Sequence, residues 1–245
     1  MNAGDKAMPK IIGIVPKGEK IDLSKPNLDD LYYIGNNYAK RIQEAGLIPI
    51  SLAPVDGWVD ERVLELCDGF IAQGGKAMQP YHYQVLHHAF TRKKKYLGIC
   101  LGMQLIHRYY GMRMYLEGKG ISDNIPAQIV HTLKQEGPSA GFLEQVDGHR
   151  AKPAPRGLED ECKHNCDVVP GTLLYSILGR DQFRSCTFHS WRVKDPHPDL
   201  KVNAWACDGS GTIEGIEYGD YILGLQSHPE VDDLLPEIFT FLANE

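Results

Sequence analysis

No stretch of this 245-residue chain approaches the ~20 consecutive apolar residues that a bilayer-spanning helix needs. Met1 to Lys10 also lacks the apolar segment of a secretory signal. Together these absences predict a cytoplasmic protein that does not act through a membrane. Excess positive charge is missing as well: 26 Lys and Arg stand against 32 Asp and Glu, a formal net charge of −6. That balance excludes nucleic acid and anionic lipid as the expected main partner. Cysteine is sparse. The six positions 67, 100, 162, 166, 186 and 207 form no dense framework, so they read as reduced, cytosolic thiols. There is no internal repeat and no low-complexity tract. What remains is a chain long enough for one large domain or two small ones, with 42% hydrophobic residues to build a core.

Short apolar runs alternate with helical patterns along the first half. Residues 10–16 read as a first buried strand stopped by Pro16, and 17–30 as a polar loop. Leu31 to Ala45 carries apolar residues at helical spacing, with Gly46 as its stop. Strands are expected at 47–53, 69–72 and 96–99, and helices at 56–67, 81–94 and 101–110. This alternation predicts an α/β protein with a parallel sheet and helices on both faces, whose site lies at the carboxyl ends of the strands. After Gly111 the pattern changes. Residues 112–116 suggest a strand, 117–160 give no firm element, and β-like runs return at 167–169, 184–188, 200–207, 212–218 and 221–226 before a closing helix at 233–244.

Two stretches carry chemistry. In residues 96–106, Tyr-Leu-Gly-Ile-Cys-Leu-Gly-Met-Gln-Leu-Ile, an apolar run ends at Cys100 and an amphipathic run starts at once. Glycines on both sides permit a tight strand–turn–helix with the cysteine at its apex, the pattern of a nucleophile elbow. A buried strand with an incidental cysteine is the plainer alternative. In residues 222–230, Ile-Leu-Gly-Leu-Gln-Ser-His-Pro-Glu, a strand ends at His228. Glu230 follows at the spacing that points two side chains the same way on an extended backbone. A thiol, an imidazole and an orienting carboxylate make a nucleophile–base–orienter set. Cys162-x-His164-x-Cys166 could be half of a metal site, but no second ligand pair of recognisable spacing accompanies it. A loop or strand-edge role is therefore expected there, and no metal.

With these residues in hand, the chain resembles the class I glutamine amidotransferase-like superfamily. Gly98-Ile99-Cys100-Leu101-Gly102-Met103-Gln104 is similar to its nucleophile motif, and Gly224-Leu225-Gln226-Ser227-His228-Pro229-Glu230 to its closing motif. Gly74-Gly75 with Pro80 and Tyr83, then His164 with Val168 and Pro170-Gly171, resemble the γ-glutamyl-γ-aminobutyrate hydrolase (peptidase C26) branch. So does Asp208-Gly209 followed by Ile213-Glu214-Gly215-Ile216-Glu217. The resemblance implies one flavodoxin-like domain over 1–245, a mostly parallel sheet with additional β-rich C-terminal segments. It implies Cys100 as nucleophile, with His228 as base and Glu230 orienting it. The amides of Gly75 and Leu101 would form an oxyanion hole, and Gln104 and Gly74 would hold the substrate. His189 and Trp191 fall where the family borders the substrate. No cofactor is implied; the partner is a small γ-glutamyl molecule, and a homodimer is compatible. There are departures: Ala77 replaces a usual Asp, Leu101 a common Arg, and Cys186-Thr187-Phe188-His189-Ser190-Trp191 retains only His189 of Asn-Ser-x-His-His-Gln.

The expected function is cysteine-dependent hydrolysis of γ-glutamyl amide bonds in small molecules through a γ-glutamyl thioester. One alternative is a glutaminase subunit delivering ammonia to a separate synthetase. Another is a γ-glutamyl transferase, or a binding protein that keeps the fold without hydrolysis.

Overall fold

The fold is that of a computed structural model, which describes residues 8–18, 32–136, 143–146, 163–231, 233 and 235–244. Strand β1 (Ile11–Val15) leads into the short β2 (Lys17–Gly18), which pairs with β3 (Tyr32–Tyr33). Then come α1 (Asn36–Glu44), β4 (Ile48–Ser51), α2 (Glu61–Leu66), β5 (Gly69–Ala72), α3 (Pro80–Arg92), β6 (Lys95–Ile99) and α4 (Leu101–Gly118). Helix α5 (Ile125–Glu136) precedes β7 (Leu143–Gln145), β8 (Lys163–Val168), α6 (Leu173–Leu178), β9 (Gln182–Cys186) and β10 (Trp191–Val193). The chain closes with β11 (Lys201–Ala206), β12 (Ile213–Tyr218), β13 (Ile222–Leu225) and α7 (Glu237–Thr240).

Among the described residues, nine strands form one sheet in the order β4-β1-β5-β6-β13-β12-β11-β8-β9. The first five are parallel, and the four from β12 to β9 are antiparallel. The parallel strands are apolar on both faces, as helices on either side require. Ile12, Ile14, Ile71, Leu97, Ile99, Leu223 and Leu225 face α1, α6 and the C-terminal segment. Val15, Phe70, Ala72, Tyr96 and Ile222 face α3, α4 and α5. The mostly parallel α/β architecture with antiparallel C-terminal strands is the one expected.

The departures have physical reasons. Helix α4 does not stop at Gly111 but runs to Gly118, so Met112–Leu116 is helix rather than strand. The alternation of Met112, Met114 and Leu116 mimics a strand, yet Met112 and Leu116 are four apart and both buried on one helical face. A glycine inside a helix costs only about 1 kcal/mol against alanine, which that burial outweighs. Helix α5 lies in the stretch where the sequence signals no firm element. Its Pro126 sits in the first turn, where a missing N–H costs nothing, and Ile125 and Ile129 are buried beneath α3 and α4. The first helix begins at Asn36, and Leu31 lies outside the described residues, as does most of the expected loop 17–30. The closing helix is shorter than the expected 233–244: Pro236 is its N-cap and it spans only Glu237–Thr240.

Helix α4 meets the sheet at unusually close range. A Cβ on Gly98 would stand 2.5 Å from the Gly102 carbonyl oxygen, and one on Gly102 would stand 2.6 Å from that of Ala72. Backbone must move to admit either. Gly98→Ala should therefore destabilise the protein by about 1–3 kcal/mol in urea unfolding. Gly118→Ala, in open space at the end of the same helix, should be neutral or gain up to about 1 kcal/mol.

Candidate active site

Cys100 occupies the junction of β6 and α4 with φ 53° and ψ −103°. A non-glycine residue there stores roughly 1–3 kcal/mol of backbone strain. Two hydrogen bonds hold it: Cys100 N–H donates to the Leu225 carbonyl at 2.7 Å, and Gln104 N–H to the Cys100 carbonyl at 3.1 Å. The first ties the elbow directly to β13, the neighbouring strand. That strand ends at Leu225, Gln226 and Ser227 follow it, and His228 N–H donates to the Cys186 carbonyl at 2.9 Å. The two sequence motifs thus meet because β6 and β13 are adjacent.

The His228 ring packs against the loop after β5. A Cβ on Gly74 would lie 2.7 Å from His228 Cε1 and 3.3 Å from Cys100 Cβ, so glycine there is a condition for bringing imidazole and thiol together. His228 Nδ1 is 2.7 Å from Glu230 Oε1. Burial opposes charge on this imidazole, but the neighbouring Glu230 carboxylate and the Cys100 sulfur outweigh it and push its pKa up to about 10. Burial likewise opposes ionisation of Glu230, yet the imidazolium, with the Tyr38 hydroxyl, holds its carboxyl below the usual range. A cationic imidazole beside the sulfur is the setting in which a cysteine attacks as thiolate.

Tyr38 completes this arrangement, although its spacing in the sequence marks it only as a core position of the first helix. Its hydroxyl donates to Glu230 Oε1 at 2.8 Å and accepts from the Gly74 N–H at 3.0 Å. One phenol therefore links α1, the glycine loop and the carboxylate. Next to it, Gln73 accepts from Gly35 N–H and donates to the Val15 carbonyl, bracing the same loop. No motif signals either residue; only the fold brings them to the site.

Leu101 is the first residue of α4, and its N–H is among those with no partner inside the helix. A Cβ on Gly75 would touch Leu101 Cδ2 at 3.1 Å, so the two residues expected to supply amide donors are neighbours. Gln104, one turn on, is buried and donates to the Trp191 carbonyl at 2.9 Å and to Gln226 Oε1 at 3.0 Å. Its amide oxygen is left as the acceptor. Beside Leu101 and Gln104 opens a cleft of about 630 Å³, with Lys76, Ala77, Arg108, Lys134 and Trp191 on its walls. Trp191 is half exposed at this rim. His189 is elsewhere: it is buried behind the rim, with Nδ1 3.0 Å from the Trp191 carbonyl. Its contact with the cleft runs through that carbonyl.

The chain is similar to known proteins in sequence and in fold. The peptidase C26 family model matches residues 10–89 and 84–230. The chain belongs to the peptidase C26 family, within the class I glutamine amidotransferase-like fold. It is 28% identical over 198 residues to a CTP synthase of Thermus thermophilus, covering 71% of this chain and 34% of that one. It is 27% identical to a glutamine amidotransferase-like protein of Rickettsia prowazekii, covering 90% of both. The chain spans about a third of the length of the CTP synthases it matches. Among solved structures, the glutaminase domain of Trypanosoma brucei CTPS with bound acivicin superposes with a TM-score of 0.64 at 15% identity, over 96% of this chain and 92% of that one. A glutamine amidotransferase of Thermotoga maritima gives 0.54 at 15%, over 91% and 77%. At that identity the two structures show the shared fold.

Two outcomes are expected at this site. Tyr38→Phe should cost about 1–3 kcal/mol of stability, since it leaves the Gly74 N–H and Glu230 short of a partner; chemical denaturation measures it. For His228 the folded pKa lies above the unfolded one. Its contribution to stability is therefore fully present below about pH 6.5 and lost as pH rises through about 10. Unfolding free energy measured from pH 7 to 11 should fall more steeply in the wild type than in His228→Asn.

Proposed function

We propose that this chain is a cysteine amidase that cleaves γ-glutamyl amides of small molecules through a γ-glutamyl thioester. The observation that carries this reading is the cleft beside Leu101 and Gln104. At about 630 Å³ it has room for a released amine much larger than ammonia. The Rickettsia protein, matched over nine-tenths of both chains, is compatible with action without a fused synthetase domain.

The chemistry runs in two halves. The Cys100 thiolate attacks the γ-carbonyl carbon, and the carbonyl oxygen takes negative charge towards the Leu101 and Gly75 amides. Such donors are typically worth a few kcal/mol each in the transition state. As the C–N bond breaks, the imidazolium of His228 gives its proton to the departing amine. The neutral imidazole then takes a proton from water, the resulting hydroxide attacks the thioester, and glutamate leaves with the thiolate restored. Glu230 keeps the imidazole in register and compensates its charge. Gln104, oriented by Trp191 and Gln226, presents its amide oxygen to the glutamyl part. Lys76 and Lys134 on the cleft walls favour an amine that itself carries a carboxylate.

The similarity to CTP synthases favours a second reading, a glutaminase that hands ammonia to a separate synthetase. Purified protein offered a panel of γ-glutamyl amides separates the two. The expected result is turnover on substrates with larger amines and without any partner. Activity confined to glutamine and dependent on a synthetase would favour the second reading. Trapping with slow substrates should place a γ-glutamyl adduct on the peptide carrying Cys100, and Cys100→Ala should lower kcat by at least ~10⁴-fold. An adduct on any other cysteine would sink the assignment.

A further inference from the structure

The lining of the cleft says more about the released amine than its volume does. Leu101, Gln104 and Arg108 are spaced i, i+3, i+7 along α4, so they line the cleft from one face of the helix. From the elbow at Leu101 to Arg108 that face runs about 10 Å along the helix axis, at roughly 1.5 Å per residue. Arg108 is only 8% exposed. Its Nη1 lies 3.9 Å from Met78 Sδ, the sulfur that the Tyr83 hydroxyl also reaches at 3.4 Å. The guanidinium is therefore held against α3 and the loop that precedes it. Lys76, which follows Gly75, and Lys134, in the last turn of α5, are exposed on the cleft walls.

We propose that Arg108 is a specificity-determining residue, and that the released amine has an apolar body carrying an anionic group at its far end. Three observations carry this. First, the charge on the cleft is of one sign: among the described residues three cations line it and no carboxylate does. An anion entering there relieves their mutual repulsion, whereas a second cation adds to it. Second, most of the remaining lining is apolar. Val130 and Leu133 of α5 and Leu143 of β7 take part, with Met78 and Pro80. Such walls reward an aromatic or branched hydrocarbon and give a bare polar chain little to bind. Third, the buried cation is the arginine. Its planar fork can grip a carboxylate through two hydrogen bonds, and it keeps its charge in a poorly solvated place. The two lysines, in water, add attraction over a longer range but less selectivity.

This goes beyond a carboxylate somewhere on the amine. It requires a hydrocarbon spacer between the scissile nitrogen and the anion, and it disfavours γ-glutamyl derivatives of polyamines and other cationic amines. The inference rests on the amidase reading for the identity of the bond that breaks. The order of preference by charge belongs to the cleft itself.

The test uses three γ-glutamyl amides of one shape, made from 4-(aminomethyl)benzoate, 4-(aminomethyl)benzamide and 4-(aminomethyl)benzylamine. Their far ends are anionic, neutral and cationic. Turnover is measured with the wild-type full chain, and binding by calorimetry with Cys100→Ala. The expected order in kcat/KM and in affinity is anion, neutral, cation, with the anion preferred to the neutral amide by at least ~10-fold. Arg108→Met should cut that ratio to below ~3-fold and Arg108→Lys should restore part of it, while Lys134→Met should lower it by less than ~5-fold. Equal use of the three, a cation-first order, or a ratio unmoved by Arg108→Met in folded protein would overturn the proposal. So would failure of all three to bind. Anion-first binding to Cys100→Ala without turnover by the wild type would support the charge selection and sink the amidase reading instead. If Arg108→Met does not fold, the wild-type order and the ratio in Arg108→Lys still decide.

Discussion

The close approach of α4 to the sheet is the constraint on which the site depends. With Gly98 and Gly102 backbone to backbone against each other and against Ala72, the helix can start immediately at Cys100. The first amides of α4 then project where the cysteine sits, and the sulfur stands at the apex of a turn that no relaxed backbone would form. Strain at one residue is tolerable because hydrogen bonds from β13 and the first helical turn over-determine its position. The same closeness puts Leu101 beside Gly75 and Gln104 beside Trp191.

The second half of the site is assembled around Glu230 rather than His228. Its carboxylate takes the imidazole on one side and the Tyr38 hydroxyl on the other. Tyr38 in turn fixes the amide of Gly74, whose lack of a side chain leaves space for the imidazole. Proton chemistry and loop geometry are therefore one network: altering the phenol alters both the charge balance of the ion pair and the position of the glycine loop.

The alternation of apolar strands and helical patterns makes the parallel half of the sheet legible, because the inner strands β1, β5, β6 and β13 are buried on both faces. Cys100, His228 and Glu230 are legible for a different reason: each lies at the end of an apolar run, where side chains emerge at the sheet edge. Helix α5 is not, since glycine and proline nearby imitate a loop while its burial comes from α3 and α4, far away in sequence. Tyr38, Gln73 and Gln226 carry no local sign of their roles, because their partners lie on other elements. The resemblance places His189 at the substrate, whereas its contacts put it behind the Trp191 carbonyl. Family motifs locate a residue along the chain more firmly than they say which way its ring faces.

Strand β13, the last of the sheet in sequence, sits at its centre, with β6 on one side and β12 on the other. Everything before residue 222 can form two half-sheets, but neither is joined to the other by a strand until β13 inserts. Among the described residues this makes the longest-range strand pairing, β6 with β13, also the final one, the kind of contact that slows folding because chain entropy is lost before the pairing rewards it. During synthesis Cys100, after β6, is made more than a hundred residues before His228, so a nascent chain holds the thiol without the imidazole. The thiol and the imidazole are brought together at the moment the two halves of the sheet are sealed, which couples assembly of the candidate site to completion of the core.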